Sequence, residues 1–179
     1  DYEQYEQAQR ILQQAEEEKL ESFGLDLVRL YFEREQCETR ESFVKLLKQA
    51  KRWRRKFEKE HASKREMAEL YYEMAILEDC KSYDGFGYLV KAGEYMNKAI
   101  RLRMNEPLSA MVHYYTYARI LQNKEQYQEA VKNYEIYRKN GKIAERLAIN
   151  MAECYQEIEE WEKAIQFYQE ALICNPKQP

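Results

Sequence analysis

The chain has 179 residues, 45% hydrophobic and 34% charged, with 5 Gly and 3 Pro; that is apolar enough for a buried core and so poor in breakers that an all-α chain is expected. A net charge of −3 gives no reason to expect a polyanion partner. No apolar run approaches the roughly 20 residues that span a bilayer, and Cys37, Cys80, Cys154 and Cys174 lack the close spacing of a metal knuckle.

Taken in chain order, helices are expected at about 2–21, 25–36, 40–60, 64–80, 88–103, 107–122, 125–139, 142–157 and 160–174, bounds good to a few residues. The charge changes sign along the first of these. Residues 1–38 hold 11 acids and 4 bases, and residues 39–65 hold 3 acids and 11 bases. Thr39 ahead of Arg40-Glu41 reads as an N-cap. In "KQAKRWRRKFEKEHASKR", 48–65, helical spacing puts Leu46, Ala50, Trp53 and Phe57 inside and Lys48, Lys51, Arg52, Arg55 and Lys59 on a shared outer face. The favoured reading of that basic patch is a solvated helix facing Glu16-Glu17-Glu18. A phosphate or an acidic protein surface is the alternative. Ser63 with Glu66 forms a capping box. "KSYDGFGY" breaks the periodicity, so 82–88 is expected to be a mobile loop. Pro107 suits a first helical turn.

Beyond it the sequence repeats. A shift of 34 residues lays Trp161 on Tyr127, Ala164 on Ala130, Tyr168 on Tyr134 and Ala152 on Ala118. A fixed period of that length with two helices per unit is a solenoid signature. With Glu145 first in its unit, Met151, Ala152, Tyr155, Ala164, Tyr168, Ala171 and Pro176 fall where the tetratricopeptide repeat asks for large, small, aromatic, Ala, aromatic, Ala and Pro, and only Ala148 departs. The unit from Met111 gives Tyr114, Tyr117, Ala118, Leu121, Ala130 and Tyr134, then departs at Tyr137 and Lys142, where Asn140-Gly141 supplies the stop. The chain therefore resembles the tetratricopeptide-repeat family, strongly over 111–178. The likeness is weaker over 68–110, where Tyr71, Met74, Ala75, Ala92, Met96 and Ala99 match, and faint before that, where Leu27, Leu30, Tyr31, Phe43, Leu47 and Ala50 form a degenerate unit.

The resemblance implies an all-α, right-handed superhelical solenoid of antiparallel helix pairs. Residues 1–62 would be an N-terminal helical segment, and 63–179 about three helix pairs packed as one continuous domain. It further implies a peptide-binding concave face lined by the first helix of each pair. Carried onto this chain, the ligand-facing positions are Tyr72, Ile76, Val112, Tyr115, Arg119, Gln122, Arg146, Ile149, Asn150 and Glu153. The implied function is a protein-interaction module, whether scaffold, adaptor, regulatory region or the sensor part of a larger regulator. Its partner would be a protein or peptide, with acidic ligands favoured by Arg119 and Arg146. Nucleic acid on the basic helix is the disfavoured alternative. Enzymatic activity is not expected: His61 and His113 are the only histidines, neither has a nucleophile at a telling spacing, and no phosphate loop or metalloprotease motif occurs. No cofactor, metal or membrane contact is expected. Free thiols favour a cytoplasmic location, with the nucleus as the alternative. A start at Asp1 without a signal-like stretch fits a fragment or a processed form. Arrays of this family commonly end in a solvating helix, so 160–174, which carries Ile165, Tyr168, Ala171, Leu172 and Cys174, is expected to have one side without an intramolecular partner, leaving self-association through this edge open.

Overall fold

A computed structural model describes residues 2–81, 87–103, 107–140 and 144–174, and these are all helical apart from short turns. The helices are α1 (Tyr2–Glu17), α2 (Phe23–Glu35), α3 (Arg40–Lys59), α4 (Lys64–Lys81), α5 (Gly87–Leu102), α6 (Pro107–Asn123), α7 (Tyr127–Asn140), α8 (Glu145–Glu157) and α9 (Trp161–Cys174). The loop expected over 82–88 lies mostly outside the described residues, and its last two positions already belong to α5. The stops expected at Gly141 and Asn175-Pro176 also lie outside them.

The helix ends follow local chemistry. Thr39 Oγ1 accepts the Ser42 N–H at 3.2 Å, with Ser42 Oγ reaching back to the Thr39 N–H at 3.2 Å. Ser63 and Glu66 exchange the same pair of bonds, the Glu66 carboxylate taking the Ser63 N–H at 2.7 Å. Each satisfies donors that a helix start would otherwise leave open. Four helices end on a left-handed residue that is not glycine: Lys19, His61, Glu125 and Glu159, with φ between 53° and 62°. The next N–H then folds back to a carbonyl of the last turn, Gln126 to Leu121 and Glu160 to Tyr155, both at 2.9 Å. The left-handed Lys19 is why α1 stops at Glu17 and not near 21.

The chain divides into two compact units, Asp1–Leu102 and Arg103–Pro179. In the first, α2, α3, α4 and α5 enclose Leu30, Leu46, Leu47, Ala50, Phe57, Leu70, Met74, Leu77 and Ala99. Fully buried Ala75, Ala92 and Ala99 let α4 and α5 approach closely, with Met74 and Met96 filling the space beside them. Helices α3 and α4, on either side of position 62, pack together within this unit. Tyr31, of the degenerate unit, is 42% exposed, with the Arg34 guanidinium 5.1 Å over its ring. Trp53, expected inside, is half-buried at the edge of the cluster.

Ion pairs tie this unit across its helices. Arg34 of α2 donates to the buried Glu73 carboxylate of α4 at 2.7 Å. Lys51 donates to the fully buried Glu78 at 3.0 Å, and Lys56 to Asp26 at 3.2 Å. Burial pushes the Glu73 carboxyl above the usual carboxylate range, with Arg34 only partly offsetting it.

In the second unit, α6–α9 surround Ala118, Leu121, Ala130, Tyr134, Leu147, Met151, Ala152, Tyr155, Ala164 and Phe167. Ala118, Ala130 and Ala152 are fully buried and Ala164 nearly so, as the 34-residue register requires. Tyr155 and Phe167 stack at 5.4 Å with planes 7° apart, locking α8 to α9. Arg138 of α7 reaches the Glu170 carboxylate of α9 at 3.2 Å and lies 5.0 Å over the Phe167 ring.

Candidate functional site

The repeat can be followed atom by atom in the second unit. Tyr134 Oη donates to Gln122 Oε1 at 2.8 Å, and 34 residues later Tyr168 Oη donates to Gln156 Oε1 at 3.2 Å. Each bond ties the last turn of one helix to the middle of the next. Glu125 and Glu159, the left-handed residues that make both turns possible, are also 34 apart.

These bonds fix the facing side of α6 and α8. Gln122 turns its amide nitrogen to Glu153 Oε2 at 2.8 Å, so Tyr134, Gln122 and Glu153 form one chain of donors and acceptors through α7, α6 and α8. Asn150 Nδ2 donates to Tyr115 Oη at 3.1 Å. Four of the residues expected to face a ligand (Tyr115, Gln122, Asn150 and Glu153) are thus brought together, and they bond to one another. Tyr115 is less available than its position suggests: it is half-buried, with its ring 5.7 Å from Tyr134 and 5.2 Å from Tyr137. Of the pair Tyr114-Tyr115, neither is fully core nor fully exposed.

Arg119 and Arg146 are exposed and make no ion pair or hydrogen bond among the described residues. Val112 is exposed and Ile149 half-buried. Tyr72 and Ile76 are half-buried on α4, in the first unit, Tyr72 leaning on its core. The sequence gives no hint of the Tyr134–Gln122 bond unless Gln122/Gln156 and Tyr134/Tyr168 are compared as shifted pairs.

Burial raises the Tyr134 phenol well above its ordinary range, with Cys154 and Tyr115 nearby adding to this. Burial pushes the Cys154 thiol up to about 12, with Glu153 and Glu157 contributing. A thiol so placed stays protonated near neutral pH and is a packing residue. Among the described residues no cluster of His, Cys, Asp or Glu could hold a metal ion, and no helix is long and apolar enough to cross a membrane.

On α3 the expected basic face needs correcting. Lys48, Arg52, Arg55 and Lys59 are exposed, but Lys51 turns aside to Glu78. The acids that meet this helix are Asp26 and Glu78, not the run Glu16-Glu17-Glu18, whose Glu16 pairs with Arg29 of α2 at 3.6 Å. On α9, Trp161, Ile165, Tyr168, Leu172 and Ile173 are exposed, Ile173 at 80%. Ala171 is buried at 6%, as its small position in the repeat requires.

Residues 147–179 match the family model described as tetratricopeptide repeat. No curated protein matches the sequence. Among solved structures, MamA 41-end from Desulfovibrio magneticus RS-1 is similar at 22% identity and a TM-score of 0.65, over 83% of this chain and 77% of that one. A second structure, "MamA RS-1 ArsTM double mutant", gives 22% and 0.66 over 85% and 76%. Pseudomonas aeruginosa pilF gives 13% and 0.51 over 99% and 88%. At such identities the likeness is one of fold. The fold of these structures extends over most of this chain, and its last helix pair carries the pattern of the tetratricopeptide repeat.

Proposed function

We propose that the chain is a non-catalytic interaction module, a scaffold, adaptor or regulatory region, which binds a peptide or partner helix along the first helices of its repeats. The ligand-facing set is Val112, Arg119, Arg146 and Ile149, backed by Tyr115, Gln122, Asn150 and Glu153, with Tyr72 and Ile76 serving the first unit.

One observation supports this most. Arg119 and Arg146 are exposed and unbonded among the described residues, while the polar side chains beside them are bonded to each other. Cations with no internal partner, set beside a fixed polar network, suit a carboxylate-bearing ligand. An acidic peptide array probed with the protein provides the test. The double change Arg119→Ala, Arg146→Ala should weaken the best peptides about tenfold, as loss of charge-assisted bonds does, and leave the melting temperature unchanged. Equal binding by the double variant would sink the reading.

A further inference from the structure

The outer edge of α3 carries a feature that the groove does not use. Lys45, Lys48, Arg52, Arg55 and Lys59 follow one another at intervals of three, four, three and four residues. At 100° per residue this places all five within about 80° of the helix circumference. The stripe lies opposite the buried one of Leu46, Leu47, Ala50 and Phe57. All five are exposed, and none makes an ion pair or hydrogen bond among the described residues. The contrast within the same helix is sharp. Lys51 and Lys56, on its flanks, pair with Glu78 and Asp26. The fold has thus neutralised the flanks and left a straight cationic ridge about 21 Å long, at 1.5 Å per residue.

We propose that this ridge docks an acidic α-helix of a partner protein. The spacing is the first reason. Cations every 3.5 residues on average are about 5 Å apart along the axis, which is the spacing of Glu or Asp at three- and four-residue intervals on another helix. Two helices side by side can then match charge for charge over the whole ridge. The other polyanions fit less well. A helix in a duplex groove meets phosphates on both sides, yet the flanking bases here are turned back onto Glu78 and Asp26. No large apolar side chain of α3 is exposed to enter a lipid surface. A shallow groove lined by Arg40, Glu41, Val44, Lys45 and Lys48 flanks one end and offers an apolar contact in Val44.

The test uses the full chain and a synthetic Ala/Glu helix of roughly 21 residues with five Glu at three- and four-residue intervals, long enough to cover the ridge. Binding is followed by fluorescence anisotropy at two salt concentrations. The patterned peptide should bind about tenfold more tightly than a scramble that spreads the same acids around the helix, and lose affinity as salt rises. Lys48→Glu, Arg52→Glu, Arg55→Glu should abolish this with the circular-dichroism melt unchanged, and a peptide with Lys for Glu should restore it. Should the triple change perturb folding, the corresponding Ala variant replaces it, with weakened binding expected. Equal affinity for patterned and scrambled peptides, no rescue by charge exchange, or tighter binding to duplex DNA or phosphatidylserine vesicles would each overturn the proposal.

Discussion

Tyr134 and Tyr168 occupy the same place in successive repeats and donate the same hydrogen bond, but Tyr134 is fully buried and Tyr168 is 37% exposed. The net value of such a bond depends on what replaces it: water can reach Gln156, but much less readily the Tyr134 site. Tyr134→Phe should therefore cost about 1 kcal/mol and Tyr168→Phe only a few tenths, read from urea denaturation. Equal costs would show that burial is not what distinguishes them. Glu73 gives a pH signature. Its folded carboxyl is held above the unfolded range by burial, so the folded state grips the proton more tightly. The stabilisation this brings is present at acid pH and is lost as pH rises through the folded value. Compared with Glu73→Gln, which cannot titrate, the parent chain should gain relative stability as pH falls from 7 towards 4. A constant difference across that range would contradict it. Neither pairing was legible in the sequence. Arg34–Glu73 and Lys51–Glu78 join residues 39 and 27 apart, and helical spacing reveals only neighbours within a turn or two.

At the scale of helices, much was readable. The capping pairs Thr39–Ser42 and Ser63–Glu66, Pro107 at the head of α6 and the buried alanines of the second unit all follow from local chemistry and the 34-residue register. The faint unit at the N-terminus was the least legible. There Tyr31 is 42% exposed, with Arg34 over its ring and not a neighbouring helix's core. The register predicts a steep contrast on α9. Ala164 is 3% exposed, and Leu172, about 80° further round the helix, is 56% exposed. Ala164→Leu, like Ala130→Leu, should cost about 1–3 kcal/mol by overpacking. Leu172→Ser should change stability by no more than about 0.5 kcal/mol, as surface substitutions do. Comparable thermal shifts for the two would mean that α9 is turned the wrong way.

For the molecule as a whole, the fold gives two sets of cations with different surroundings. Arg119 and Arg146 stand beside a bonded polar network, while the α3 ridge stands alone over a neutralised flank. The candidate face was legible only through the family resemblance, which supplies positions and not bonds. Tyr115 shows the limit, since the same position that faces a ligand also closes a gap against Tyr134 and Tyr137. The most direct measurement is backbone-amide chemical-shift mapping of the labelled chain during titration with an acidic peptide selected from the array. Shifts concentrated at Val112, Arg119, Gln122, Arg146, Ile149 and Glu153 on α6 and α8 are the predicted result. Shifts confined to α7 and α9, with α6 and α8 unmoved, would contradict a ligand face built from the first helices of the repeats.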